Sequence, residues 1–283
     1  MEITTWGPRE LPALREITDA ALPGEDLSED ELSTVVDEGT ILATADGAGA
    51  VLTVGPGTAD RGTAPAIIAL LAVVPAAQGR GVGRALLEAA RAQAVVRGAT
   101  AVWAGAGGAA GPWLWPGVDV HATRALCLFE SAGFRVAETV LDAACPTTLR
   151  RPPPPGVAVH RVLEDRDARA AVALAEMVTP TLAGEVARAV EHGSCLLATE
   201  GDDAVGLGCH SVHRVGWIGP LVVAQPARRR GIGACLLAAL CTDLRAAGRP
   251  EAEIAWADPL GFYARVAGAS VSRVYRRLVI PSP

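Results

Sequence analysis

QGRGVGRALL at Gln78–Leu87 and RRRGIGACLL at Arg228–Leu237 are one pattern written twice, with Gly231 following Gly81 by 150 positions. Each follows a short Val-rich apolar run and opens a stretch with helical spacing, which predicts a strand, a Gly-rich turn and a helix start. Before the first copy, PAIIALLAVV (Pro65–Val74) is apolar on both faces and too short for a typical free-standing helix, as suits a central strand. After it, Val82, Leu86, Ala90 and Ala94 recur at helical spacing until Gly98, a natural C-cap. WIGPLVV leads into the second copy, and Ile232, Leu236, Leu240 and Leu244 continue it as an apolar stripe.

The flanking segments repeat as well. In the first half EITTW reads as a strand, GPRELPALREITDAAL as an amphipathic helix, GTILATADGAGAVLTVG as two strands about a turn near Gly47, TAVWAGA as a strand and TRALCLFESAGF as a helix ended by Gly133. In the second half the order is strand GVAVHRV, helical residues through Ala187, strands SCLLAT and AVGLGCHSV, then strand AEIAWA after the loop helix. Asp258 and Pro259 read as N-cap and first helical residue of LGFYARVAG. RRPPPPG (Arg151–Gly156) is the clearest break, because consecutive prolines fit neither a helix nor a central strand. The expectation is an α/β (α+β) chain of two similar domains, residues 1–150 and 156–283, joined by a Pro-rich linker at 151–155, each domain a mixed twisted sheet flanked by helices.

Length favours two domains and half of the 283 residues are hydrophobic, enough for sizeable cores. No apolar run approaches the roughly 20 residues that span a bilayer and the N-terminus lacks a signal-peptide pattern, so a soluble cytoplasmic protein without membrane partners is expected. The six cysteines form no C-x-x-C pair and no cluster with zinc spacing, which predicts reduced thiols and no metal. A net charge of -6 disfavours nucleic acid as a partner and weakly suits a cationic small substrate. There is no lysine, so every basic contact comes from Arg or His.

A strand that ends in a Gly-rich turn at a helix N-terminus presents unpaired N–H groups and the positive end of the helix dipole, a ready site for a phosphate. The kinase-type P-loop is excluded because it needs lysine. The dinucleotide fingerprint fails at its third glycine, where Leu86 and Leu236 stand. The pattern that fits is [Q/R]-x-x-G-x-G.

With VVPAAQGRGVGRALL in one half and VVAQPARRRGIGACLL in the other, the sequence resembles the GNAT superfamily of N-acyltransferases, in tandem. The family's loop carries that pattern after a strand ending V-x-P; Gln78, Gly81 and Gly83 take its positions first, then Arg228, Gly231 and Gly233, with the proline one place later at Pro226. The resemblance implies that acetyl-CoA is the co-substrate, its pyrophosphate held across Gln78, Gly79, Arg80, Gly81, Val82, Gly83 and Arg84, and across Arg228, Arg229, Arg230, Gly231, Ile232, Gly233 and Ala234. It implies pantetheine beside the strand ends at Val73 and Val74 and at Val223. Such proteins continue with a helix reading roughly N-x-x-A-x-x-[LF]-Y-x-x-x-G-F. ATRALCLFESAGF follows this from Ala125 to Phe134, yet has Ala122 for Asn and Phe129 for Tyr, whereas WADPLGFYARVAGA keeps Tyr263 but has one residue more before Gly268.

By that resemblance Tyr263 is the candidate general acid for the departing thiolate, against the plain alternative of a core tyrosine. Ordinary values of about 10 for Tyr and 8.5 for a thiol make donation uphill by roughly 2 kcal/mol. GPWLWPGVDVH (Gly111–His121) offers two Trp, an Asp and a His beside the expected acceptor cleft, either as a lid with a base or as a loop plugged by its aromatics. His210 and His213 are further base candidates, or structural histidines. The implied reaction is acetyl transfer from acetyl-CoA to a small-molecule primary amine by direct attack in a ternary complex, without a metal, by a monomer or homodimer. Tyr263 points to catalysis in the second half and retained CoA binding in the first. Two rivals stay open: a non-catalytic acyl-CoA-binding or scaffolding protein, and transfer to a protein N-terminus or Lys.

Overall fold

The structure is a computed structural model that describes residues 1–55, 64–106 and 113–282. In chain order the elements are β1 (Ile3–Trp6), α1 (Leu11–Ala21), α2 (Glu29–Glu38), β2 (Gly39–Thr44), β3 (Gly49–Val54), β4 (Ala66–Val73), α3 (Val82–Val96), β5 (Ala101–Ala104), β6 (Val118–Asp119), α4 (Thr123–Ser131) and β7 (Arg135–Pro146). They continue with β8 (Val157–Arg161), α5 (Asp165–Val178), α6 (Ala183–Glu191), β9 (Cys195–Glu200), β10 (Asp203–His210), β11 (Trp217–Val223), α7 (Ile232–Ala246), β12 (Glu251–Ile254), α8 (Leu260–Ala267) and β13 (Ser270–Pro281). Two compact units result: Met1–Val140 with Tyr275–Pro283, and Leu141–Val274.

In the first unit β1 to β4 form an antiparallel run, β4 pairs β5 in parallel, and Leu278–Pro281 of β13 pairs β5 antiparallel. The second unit repeats this with β8 to β11 antiparallel, β11 parallel to β12, and Ala143–Pro146 of β7 antiparallel to β12. Each unit's sheet is therefore finished by a strand from beyond its own run of elements: the chain's last strand in the first, a strand preceding β8 in the second.

Both faces of each sheet are covered, which explains why β3 and β4 read as nearly unbroken apolar runs. In the first unit Leu14, Ile17, Leu32 and Val35 of α1 and α2 pack on one face, while Val82, Leu86, Leu87 and Ala90 of α3 join Phe129 of α4 on the other. α5 and α6 take the first role in the second unit, and α7 and α8 the second. Full burial of a side chain such as Leu86 or Leu236 contributes about 1.5–3 kcal/mol.

Two local starts are instructive. α2 opens on a capping box: the Ser28 hydroxyl accepts from the Glu31 N–H at 3.2 Å, and the Ser28 N–H donates to the Glu31 carboxylate at 2.7 Å. α8 opens one residue later than its sequence suggests, at Leu260, because the Pro259 carbonyl accepts the first helical bond, from the Phe262 N–H at 2.9 Å, and Pro259 rather than Asp258 is the cap.

Candidate active site

The two loops have almost the same backbone. β4 ends at Val73, Val74 leads into a short 3-10 turn at Pro75–Ala77, and Gln78 follows in extended conformation; β11 ends at Val223, the turn is Gln225–Ala227, and Arg228 is extended. The Gln78 amide donates from Nε2 to the Val73 carbonyl at 3.0 Å, and Arg228 donates from Nε to the Val223 carbonyl at 3.0 Å. These unlike residues share one task, folding the loop back onto its strand end.

Gly81 and Gly231 are the N-caps of α3 and α7 with φ of 84° and 89°, in the left-handed region where a side chain costs roughly 1–2 kcal/mol. Gly79 has φ 76°, yet the matching position is Arg229 with φ 63°. Val82 and Ile232 turn into the cores, so at those positions the backbone amides alone face the loop. Gly83 and Gly233 serve packing: a Cβ on Gly83 would meet Leu128 at 3.1 Å, and one on Gly233 would meet Phe262 at 3.3 Å. Ala234 follows in α7 where α3 has Arg84, whose guanidinium donates to the Ser131 hydroxyl at 3.0 Å.

The surroundings of the loops differ. A Cβ on Gly79 or Gly81 would meet nothing within 4 Å, and Arg80 is exposed. Across from Gly231 lies Pro154 of the proline run, 3.6 Å from where a Cβ would stand. Arg230 is held bidentately by Glu200 at 2.9 and 2.6 Å. That pair lowers the Glu200 pKa and raises that of Arg230 through their mutual hydrogen bonds and charge.

Upstream of each loop the parallel strands part. β4 pairs β5 over Ala66–Ile68, and the Gly105 N–H still reaches the Ile68 carbonyl at 3.1 Å; a bulge at Ala69 then shifts the register of β4 against β3. β11 pairs β12 only at Trp217 and Ile218, and its irregularity lies at Gly219–Pro220. By the 150-residue offset Pro220 matches Leu70, so the second strand lacks an N–H where the first has one.

In the first unit the parting opens a cavity of about 170 Å³, walled by β4 residues Ile68–Leu71 and by Glu25, Trp115, Asp119, Phe129 and Tyr275. Trp115 donates from its indole to Glu25 at 3.1 Å. Asp119 accepts from the His121 N–H at 2.8 Å and faces its Nδ1 at 3.0 Å, with the imidazole exposed. The Trp-rich loop thus contributes Trp115 and Asp119 to the wall, while Trp113 is buried; its first two residues, Gly111 and Pro112, lie outside the described residues.

Leu128 packs on Gly83 as Phe262 packs on Gly233, so Phe129 and Tyr263 are counterparts. Each accepts a backbone bond from the start of the following segment, Phe134 to Phe129 at 3.0 Å and Ala269 to Tyr263 at 3.4 Å. Tyr263 is only 7% exposed and stacks edge-on to Phe262, with centroids 5.0 Å apart. Burial, then the charges of Asp258 and Cys145, push its pKa up to about 12. Proton donation to a thiolate of ordinary pKa is then uphill by roughly 5 kcal/mol. His210 lies 3.7 Å from Asp243 and burial pushes its pKa down; His213 lies 3.3 Å from Glu185.

Glu25 and Tyr275 were not singled out from sequence. One sits on the loop after α1 and the other on the last strand, and no local pattern links either to the Gly loop.

Residues 32–136 match the family model described as acetyltransferase (GNAT) domain, and residues 162–268 the one described as acetyltransferase (GNAT) family. A search of curated proteins gives no match. Among solved structures the chain is similar to a GCN5-related glucosamine N-acetyltransferase region of a fungal multi-domain GH3 β-N-acetylglucosaminidase, with TM-score 0.78 and 20% identity over 99% of this chain; this chain spans only 38% of that one. It is also similar to a GCN5-related N-acetyltransferase from Sphaerobacter thermophilus (TM-score 0.69, 20% identity, 99% and 96% covered). A tandem GNAT protein from the clavulanic acid biosynthesis pathway gives TM-score 0.72 and 16% identity, with 100% and 98% covered. At such identities these structures speak for the fold, while the two family models span most of the chain: it belongs to the GNAT acetyltransferase family, as a tandem of two such domains.

Proposed function

We propose that the chain acetylates a small primary amine with acetyl-CoA, by direct attack in a ternary complex, and that turnover takes place in the first unit. The observation that carries this reading is the parting of β4 and β5 at the Ala69 bulge, which opens the acceptor-sized cavity upstream of a loop with open space at Gly79 and Gly81. In this reading the amides from Gly79 to Arg84 hold the pyrophosphate, Val73 and Val74 flank pantetheine, and the Leu70 N–H at the bulged strand is the donor for the thioester oxyanion. The counterpart of Leu70 is Pro220, which argues against equal catalysis in the second unit.

The amine lone pair forms the C–N bond, the C–S bond breaks, and the thiolate takes its proton from solvent. A primary amine of pKa near 10.4 gives up its proton to a carboxylate at a cost of roughly 9 kcal/mol and to an imidazole at roughly 5 kcal/mol. His121 is therefore the proton acceptor in this proposal, reached through water, and Asp119 orients it. Phe129 supplies no phenol, and at a thiol pKa near 8.5 none is demanded. The second loop is proposed to bind CoA more weakly, since Glu200 already engages Arg230, and Tyr263 remains its candidate acid only for a thiolate stripped of water. The test is release of free CoA thiol with a panel of small amines. A chain that binds acetyl-CoA yet turns over none of them is a non-catalytic binder, and this reading falls.

A further inference from the structure

We infer that the second unit carries an anion site apart from its Gly loop, a groove along α7 that takes a phosphate monoester with an apolar body, its phosphate held by Arg150 and Arg151. This site does not depend on the acetyl-transfer reading. The groove has a volume of about 420 Å³, within the range of sites that hold small organic molecules. α7 turns Cys235, Ala238, Ala239 and Thr242 toward it, at the spacing of one helical face, and Val159 and Leu196 of the sheet lie opposite. Side chains as small as these on the helix leave the space beside the edge strand β8 unfilled and give it largely apolar walls. Every lining residue belongs to the second unit.

The charge on the walls decides what the groove can hold. Arg161 and Asp243 cancel, since the guanidinium donates to the Asp243 carboxylate as well as to the Gly193 carbonyl. His160 is engaged by Asp167, Nε2 to Oδ2 at 2.8 Å. Arg150 and Arg151 have no such carboxylate among the described residues. Arg150 gives its Nη1 donors to the Thr147 and Leu149 carbonyls at 3.3 and 2.8 Å, which positions the fork but leaves its charge uncompensated and its Nε and Nη2 donors for a ligand. Two uncompensated guanidinium groups on consecutive residues thus line one apolar groove, in a chain of net charge -6. A carboxylate, with two oxygens and one charge, is answered by a single fork, whereas a phosphate monoester brings three oxygens and nearly two charges and engages both. The first unit lacks this chemistry at the matching place: by the 150-residue offset Glu88 stands on α3 where α7 has Ala238. Pro153 lines the groove and Pro154 lies against Gly231, so groove and Gly loop meet at the proline run yet share no residue.

The experiment is calorimetric titration of phenyl phosphate into the full chain, with inorganic phosphate and benzoate as comparison ligands. Phenyl phosphate is expected to bind saturably and at least tenfold more tightly than either. The double variant Arg150→Gln, Arg151→Gln should weaken it at least tenfold; both side chains are exposed, so circular dichroism should find the fold intact. Ala238→Glu, which sets the first unit's carboxylate among the arginines, should weaken it by at least as much, and if that variant fails to fold the arginine variant decides alone. Gly231→Glu, which blocks the loop, should change it less than threefold. Binding lost in Gly231→Glu but kept in the arginine variant puts the phosphate at the Gly loop and overturns the inference. Equal affinity for phenyl and inorganic phosphate overturns the apolar groove as the site, and benzoate binding as tightly as phenyl phosphate overturns the role given to both arginines. No saturable binding of phenyl phosphate overturns the site outright. Neither acetyl-CoA nor an amine is present in these titrations, so their outcome is separate from that of the turnover assay.

Discussion

The turn from Gln78 to Gly83 and the turn from Arg228 to Gly233 have nearly the same backbone and opposite surroundings. In both, a side chain donates back to the end of the preceding strand and a left-handed glycine caps a fifteen-residue helix. Around the first, a Cβ on Gly79 or Gly81 would meet nothing within 4 Å. Around the second, Pro154 stands over Gly231 and Glu200 takes the guanidinium of Arg230. A motif therefore certifies a turn and a helix start, because those follow from φ and from amide geometry. It does not certify a ligand, because that depends on what other segments bring to the same spot.

The sharpest way to break this comparison is to place a bulky anion at each cap. Gly81→Glu is expected to abolish acetyl-CoA binding, a loss of at least a hundredfold, while Gly231→Glu changes the dominant binding isotherm less than threefold. Both variants bear the same backbone penalty at positive φ, so circular dichroism should find them equally folded and the contrast belongs to the ligand. Equal losses would mean that the loops bind alike and that the covering of the second is inconsequential.

Next in size is the contrast between the two candidate catalytic constellations. Asp119→Asn leaves His121 without its carboxylate partner and should lower kcat about a hundredfold, with acetyl-CoA affinity unchanged. Tyr263→Phe should change kcat less than twofold. With a pKa near 12 the phenol also gives the rate no alkaline limb below about pH 11. A tenfold drop in the Tyr263 variant would return catalysis to the second unit.

How much of this was legible in the sequence follows from what each feature depends on. The repeat, the central strands and α3 and α7 are written in local periodicity, so Val82, Leu86, Ala90 and Ala94 sufficed to place α3 on the core. α2 carried its own start signal, Ser28 with Glu31 three residues on, yet the apolar stripe behind it is short and drew no attention. The destinations of β7 and β13 were not legible, because alternation within a strand does not tell which sheet accepts it. That is also why Tyr275 escaped notice as a wall of the first cavity. Gln78 and Arg228 were legible as motif positions, but their bonds to Val73 and Val223 follow from the shape of the intervening 3-10 turn, which spacing alone does not specify.

A smaller effect tests the clamp itself. Glu200→Gln should free Arg230 and tighten acetyl-CoA binding at the second loop by about three- to tenfold at low ionic strength, read as a second calorimetric transition. The sign of the pH dependence is fixed: Glu200 is depressed below its ordinary value of 4.5 in the folded chain, so the pair is complete above that value and is lost only as pH falls through the depressed one. Raising the pH from neutrality should therefore leave the clamp unchanged, and a wild-type second site that strengthens on alkalinisation would contradict it.

The smallest expected effect concerns the one backbone position where the loops disagree. Arg229 holds φ 63° where its counterpart Gly79 holds 76°, and left-handed geometry disfavours a side chain by roughly 1–2 kcal/mol while glycine loses about 0.5–1 kcal/mol in chain entropy on folding. Arg229→Gly should thus stabilise the second unit by about 0.5–1 kcal/mol, and Gly79→Arg should cost the first unit about the same, each a shift of roughly 2–4 °C in the corresponding thermal transition. Neither exchange touches the bonds that fold the loops onto Val73 and Val223, so both turns should persist. A large loss in either direction would mean that the residue at this position bonds to something beyond its own turn, and that the two backbones coincide for different reasons.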